Sequence, residues 1–219
     1  MDWFGPIDAY CERTSAAVWA EPVNAFSNLA FLLAALWAWR RWRKLEPGER
    51  GGDRVVPALI GLVAVIGVGS TLFHTLANGW SMLADVVPIT LFIAAYFALA
   101  LRRLVGLRRW ASAGGTIAFL VAAQGVEPLA APLVGSSAAY VPALAALFGI
   151  GGWLGHRGHP AARLVLAAGG VFALSLTART LDGPLCAALP LGLHFLWHGL
   201  NALVLALLLA AAMPAPSKR

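Results

Sequence analysis

Two histidines stand four residues apart in an otherwise apolar stretch, LHFLWHGLN (residues 193–201), with Asn201 three positions further on. On a helix, residues i and i+4 share one face about a turn, roughly 5.4 Å, apart. His194 and His198 therefore have the spacing with which a helix chelates a metal ion. Ser70 and His74 repeat the same interval in a second apolar stretch, and Asp85 follows in a third. Ionisable groups inside a membrane are costly and turn towards a bundle interior, a cavity or one another. Three imidazoles and a carboxylate converging at one depth fit a zinc site, with three protein ligands and a fourth position left for water. Asp85 would then take a proton from the attacking water, and Ser70 would hydrogen-bond the oxygen that gains charge as a carbonyl is attacked. A single intramembrane histidine is more often an interhelical hydrogen-bonding residue, and the case for metal rests on the three together. Adjacent-turn histidines do not supply the opposite axial positions of a haem. His156 and His159 fall in a basic loop, where solvation accounts for them.

The elements that must position these residues are long and apolar. Of 219 residues 60% are hydrophobic, only 12% are charged, and nine are tryptophan, more apolar surface than a soluble domain of this size needs. Stretches approaching the roughly 20 residues of a membrane span recur along the chain. Breaks in charge and turn residues mark seven of them, near residues 22–39, 55–76, 82–101, 110–126, 138–155, 161–178 and 190–212. Glu127-Pro128, followed by LAAPLVGSS, is read as the break between the fourth and fifth. The expected fold is an all-α membrane protein, a seven-transmembrane helix bundle forming a single domain over residues 1–219. Residues 1–21 form an acidic extracytoplasmic tail, 22–212 the bundle and 213–219 a cytoplasmic tail. The opening residues lack the basic start and apolar centre of a cleavable signal. Internal repeats are not visible, which disfavours a transporter built on a His/Asp proton relay.

Arginine and lysine orient the bundle. Arg40, Arg41, Arg43, Lys44, Arg50 and Arg54 follow the first span, Arg102, Arg103, Arg108 and Arg109 the third, Arg157 and Arg163 the fifth, and Lys218 and Arg219 the seventh. Fourteen of the sixteen basic residues thus fall on one side, leaving Arg13 and Arg179 on the other. Basic loops stay cytoplasmic, so the amino terminus is expected outside and the carboxyl terminus in the cytoplasm, with the site near the outer leaflet of a plasma (inner) membrane. Because the net charge of +6 is divided among short loops, it is a topology signal and does not indicate nucleic-acid binding.

Asp8, Glu12 and Glu21 place hard oxygen donors of the kind calcium prefers in the outer tail. The alternative is simply an acidic translocated tail, with Glu21-Pro22 opening the first helix. Glu21, Asn24 and Asn28 form a polar stripe at helical spacing that closes interhelical hydrogen bonds or lines the cavity. Cys11 and Cys186, the two cysteines, both fall on the outer, oxidising side, where a disulfide between them or two free thiols are open readings. Arg179 and Asp182, in the same outer loop, either pair or contact a polar lipid headgroup.

GVGSTLFHTL, Asp85 in LADVVPI, and LHFLWHGLN together resemble the alkaline ceramidase family, within a wider group of seven-helix hydrolases that includes the adiponectin-receptor-like proteins. Ser-x-x-x-His, an Asp eleven residues later and a final His-x-x-x-His match in order and spacing. YCE (residues 10–12) and AEPVNAFSNLAF (residues 20–31) extend the likeness along the chain. The resemblance implies zinc held by His74, His194 and His198, with Ser70 and Asp85 beside it, and hydrolysis of a ceramide-like membrane lipid to a fatty acid and a sphingoid base. It also implies calcium at Asp8, the Tyr10 carbonyl, Glu12 and Glu21, although Thr14 stands where the family pattern has an Asn ligand. Hydrolysis of another lipid amide or ester, and a heptahelical receptor or sensor with structural zinc, are the alternatives.

Overall fold

The computed structural model describes residues 3–214. Lys218 and Arg219, with most of the expected cytoplasmic tail, lie outside the described residues. Those described are helical with no strand; one isolated bridge joins Pro6 to Asn78.

Pro22 occupies the first helical position of α1 (Pro22–Ser27), where its missing N–H is an orphan in any case. Across a turn at Asn28 the chain continues as α2 (Leu29–Lys44), and one-turn α3 (Pro47–Arg50) follows, closed by a reciprocal Glu46–Glu49 capping box. The next pair, α4 (Val55–Leu76) and α5 (Gly79–Leu99), is joined by two residues only. Ala77 ends α4 in the left-handed region (φ 41°), and Asn78 caps α5 by accepting from the Ser81 amide while the Ser81 hydroxyl accepts from Asn78 N–H. Beyond a π-turn (Ala100–Leu104) come α6 (Arg109–Val134), a 3-10 turn (Gly135–Tyr140), α7 (Val141–His156), α8 (Ala162–Leu185) and α9 (His194–Ala212).

The long helices form a closed ring. Each of α2, α4, α5, α6, α7, α8 and α9 packs on the next in this order, and α9 returns to α2. Phe31, Val63, Ile66, Phe92, Phe172, Trp197 and Leu209 are among the residues that fill its core. On the outside, Leu33, Trp37, Val68, Leu91, Ile117, Val121 and Leu174 are exposed. An apolar belt on a structure whose backbone groups are satisfied inside helices is a lipid-facing surface. Six helical stretches are long and apolar enough to cross a membrane, with residues 109–156 counted as one. The chain is an integral membrane protein.

Two expected boundaries are corrected. The break between the fourth and fifth stretches does not begin at Glu127-Pro128: α6 runs through it and through Pro132 to Val134, and Gly135, at φ 53°, ends it within the LAAPLVGSS that follows. Both prolines lie in the last turns of the helix on a largely exposed stretch, where their rings meet no packed neighbour and cost two hydrogen bonds at most. The sixth stretch continues to Leu185, which brings Arg179 and Asp182 from an expected loop into the last turns of α8.

Candidate metal centre

His74 lies in the last turn of α4, His194 is the first residue of α9, and His198 stands one turn further along α9. All three are buried, and one ligand atom from each can be chosen so that all lie within 4.8 Å of one another. Ring centroids are 4.7 Å apart for His74–His198 and His194–His198, and 5.1 Å for His74–His194.

Hydrogen bonds aim the rings. Nδ1 of His74 meets Oε2 of Glu21 at 2.6 Å, and Nδ1 of His198 meets Oγ of Ser27 at 2.6 Å. A carboxylate can only accept from His74, and the Ser27 hydroxyl already donates to the Asn24 carbonyl at 2.8 Å. Both histidines therefore carry their proton on Nδ1 and present Nε2. Nε2 of His74, Nε2 of His198 and Nδ1 of His194 are buried without a hydrogen-bond partner. Buried polar atoms are rarely left so; the unprotonated Nε2 atoms of His74 and His198, with the His194 ring beside them, are a donor set that fits zinc.

Ser70 and Asp85 meet beside them for a backbone reason. Pro88 has no N–H to offer the carbonyl of Ala84, four residues earlier in α5. That carbonyl lies against Gly69, where any Cβ would fall into it. A bare glycine opposite a freed carbonyl lets α4 and α5 approach closely, and Ser70 and Asp85 come to line the same cavity. Oδ1 of Asp85 is buried without a partner. Ser70, Asp85, His198 and Asn201 form the polar head of an apolar cavity that continues past Ile89, Phe92 and Tyr96 to Ala100. Along α5 this is about 22 Å at roughly 1.5 Å per residue. Each long helix of the ring contributes to its wall.

The amino-terminal tail covers this end of the bundle. Ile7 N–H donates to the Ala77 carbonyl at 2.7 Å, Tyr10 stacks on His194 with centroids 3.6 Å apart, and Cys11 is disulfide-bonded to Cys186. Arg179 donates to the Tyr10 hydroxyl at 3.2 Å, and its guanidinium also lies 5.5 Å from the Tyr140 ring and 5.0 Å from that of Trp197. Burial raises the pKa of Tyr10 above the usual phenol value against the opposing pull of Arg179. Asp182 accepts from the backbone N–H groups of Leu193 (2.6 Å), His194 (2.9 Å) and Cys11 (3.2 Å). It caps α9 at the first histidine and ties down the tail. Gly192, at φ 69°, has no room for a Cβ because Asp182 and Cys11 crowd it.

Most of the expected calcium ligands are already engaged. Both carboxylate oxygens of Glu12 cap α1, accepting from Val23 (2.7 Å) and Asn24 (2.8 Å), and the Tyr10 carbonyl accepts from Arg13 N–H. Glu21 is shared among Arg13, His74 and Asn24, while Asp8 is exposed. Calcium takes six to eight oxygen ligands, and with the carboxylates of Glu12 and Glu21 already committed to Val23, Asn24, Arg13 and His74 this set does not fit it. Burial alone would raise the pKa of Glu21, but its hydrogen bonds with His74, Arg13 and Asn24 hold it below the usual carboxylate value.

Ser27 and Asp182 were not singled out as site-positioning residues in the sequence. Ser27 could have been found as a member of the stripe at 21, 24 and 28, three residues after Asn24. Asp182 signals only that a charge lies in an apolar stretch; which amides it meets is a matter of tertiary contact.

Residues 7–213 match the protein-family model described as Ceramidase. The comparison with curated proteins found no match.

Proposed function

Because the chain belongs to the ceramidase family, we propose that it is a zinc-dependent intramembrane amidase, cleaving a ceramide-like lipid into a fatty acid and a sphingoid base. The observation that carries this reading is the set of three buried, partnerless imidazole nitrogens, clustered around His198 at the polar head of a long apolar cavity.

His74, His194 and His198 would hold the metal. A bound zinc supplies Lewis-acid polarisation of a carbonyl and a water that ionises near neutral pH. The residues of the chain do the rest. The cavity below Asp85 takes an acyl chain and keeps bulk water from it, and exclusion of water strengthens the charge interactions at its head. Asp85, with Oδ1 free, takes a proton from the attacking water and later delivers one to the leaving nitrogen, so that carboxylate and amine products balance amide plus water. Ser70 donates its hydroxyl proton towards the carbonyl oxygen as that oxygen gains charge. A closed structural site, as in a sensor, would have no need of this pair.

The chain works as one unit, a seven-span bundle over residues 22–212 with the tail, described from residue 3 to residue 21, laid across its outer end. The distribution of arginine and lysine supports an outward amino terminus, with the site near the outer leaflet of a plasma (inner) membrane. Of the two outer basic residues, Arg13 is buried against Glu21 and Arg179 packs over Tyr10, Tyr140 and Trp197. Neither weakens the topology signal.

The test is metal analysis of the purified protein with hydrolysis of a panel of ceramides, acyl-amides and acyl-esters. Zinc at one per chain, lost in His194→Ala together with amide turnover, is the expected result. Full zinc occupancy in His194→Ala would defeat the ligand assignment. Zinc with no turnover on any lipid would favour a sensor, and turnover on esters alone would move the substrate class.

A further inference from the structure

Arg13 is the most heavily engaged side chain of the tail. It is only 6% exposed, and all three guanidinium nitrogens are used. Nε donates to Oε1 of Glu21 at 2.5 Å, Nη1 to the carbonyls of Ser15 and Ala17, each at 3.2 Å, and Nη2 to the carbonyl of His74 at 3.2 Å. One cation thus gathers a carboxylate and three carbonyl oxygens from a tail loop, the start of α1 and the end of α4. A hard metal ion would need this kind of oxygen set, and the guanidinium already occupies the centre of it. It also grips one histidine twice. Through Glu21 it reaches the His74 ring, and directly it holds the His74 backbone.

We infer that Arg13 is the tail's resident cation and a positioning residue: acting through Glu21 it fixes the tautomer and direction of His74, and it does so without calcium. Resting on the zinc reading above, this joins the tail fold to the metal site. Carboxylates behind a ligating histidine raise its basicity and hold its ring, and their loss typically weakens metal binding 10- to 100-fold. Withdrawing the guanidinium leaves Glu21 buried with an uncompensated charge and free to turn from His74. Lysine cannot replace it fully, because an ammonium lacks the planar fork that reaches acceptors on opposite sides.

Zinc affinity is measured on the full chain in nanodiscs by competition with a chelator, and unfolding temperature is read in parallel, with calcium or with EGTA. The variants are Arg13→Met, Arg13→Lys, Glu21→Gln and, for comparison, Glu12→Gln, which weakens the α1 cap without touching His74. About 10- to 100-fold weaker zinc binding is expected for Arg13→Met and Glu21→Gln, with a smaller loss for Arg13→Lys. Glu12→Gln should lower the unfolding temperature with zinc affinity unchanged. The wild type should be indifferent to calcium in both readouts. Wild-type zinc affinity in Glu21→Gln and Arg13→Lys, or an equal loss in Glu12→Gln, would overturn the inference, as would tighter zinc binding or a higher unfolding temperature of the wild type in calcium. If the wild type holds no zinc that His194→Ala removes, the functional reading fails. The calcium arm then decides alone: stabilisation by calcium overturns the role of Arg13, and indifference keeps it as the cation of the tail.

Discussion

Nδ1 of His198 meets Oγ of Ser27 at 2.6 Å, and Ser27 spends its own proton on the Asn24 carbonyl. A hydroxyl so committed can only accept from the ring, so a serine on the first span sets which nitrogen the last span offers. Ser27→Ala removes that acceptor and frees the tautomer. Zinc affinity should fall about 10- to 100-fold, measured by chelator competition, with helicity unchanged. A loss below twofold would mean that packing against Phe31 alone orients the ring.

Asp85→Asn keeps the shape of the cavity head but removes the proton acceptor. Zinc stoichiometry should be retained while kcat on a ceramide falls about 10²- to 10⁴-fold. Retention of full turnover would remove Asp85 from the proton path.

Gly69→Ala drives a methyl group into the Ala84 carbonyl. Because a backbone atom and not a side-chain end is in the way, α4 and α5 must separate, at about 1–3 kcal/mol by the usual cost of overpacking. A lower unfolding temperature and reduced turnover at unchanged zinc content are expected, since Ser70 and Asp85 part while the histidines do not depend on this contact. An active variant of wild-type stability would show that the helix pair has slack there.

Reduction of Cys11–Cys186, or the paired serine variant, releases a link between residues 175 apart. The chain-entropy relation gives about 5 kcal/mol for a loop of this length, and disulfides typically contribute about 2–4 kcal/mol. Faster proteolysis within the first twenty residues and a lower unfolding temperature should follow. Unchanged proteolysis would assign tail retention to Asp182, Arg13 and the Ile7–Ala77 bond alone.

On the opposite side of the bundle, Arg103 holds Asp53 by two 2.6 Å bonds and keeps its carboxyl below the usual pKa. A depressed folded-state pKa contributes stability above the unfolded value, about 3.9, and that contribution is lost as pH falls through the folded value. The difference in unfolding temperature between wild type and Asp53→Asn should therefore be full near neutrality and disappear in acid. With Arg103 35% exposed, solvent screening limits the effect to about 1 kcal/mol. A difference that persists in strong acid would mean a packing origin.

Much of this protein is written along the chain in one dimension. Hydropathy marks the spans because lipid cannot satisfy a bare backbone, and the His194–His198 interval declares a shared helix face because an α-helix repeats every 3.6 residues. The order Ser70, His74, Asp85 was legible for the same reason, since short-range periodicity needs no knowledge of neighbours. Other features depend on what meets across the ring. Glu127-Pro128 reads as a break, yet α6 runs on through it and through Pro132, because a proline bends or ends a helix according to its surroundings as well as its type. Glu21 and Glu12 read as calcium ligands because a carboxylate's type says nothing about which donor reaches it first. Arg13, His74 and the α1 amides reach these two first, and residue spacing along the chain does not encode those distances. Ser27 behind His198 and Asp182 beneath His194 belong to the same class: contacts across more than ten residues of chain, created only when the helices pack.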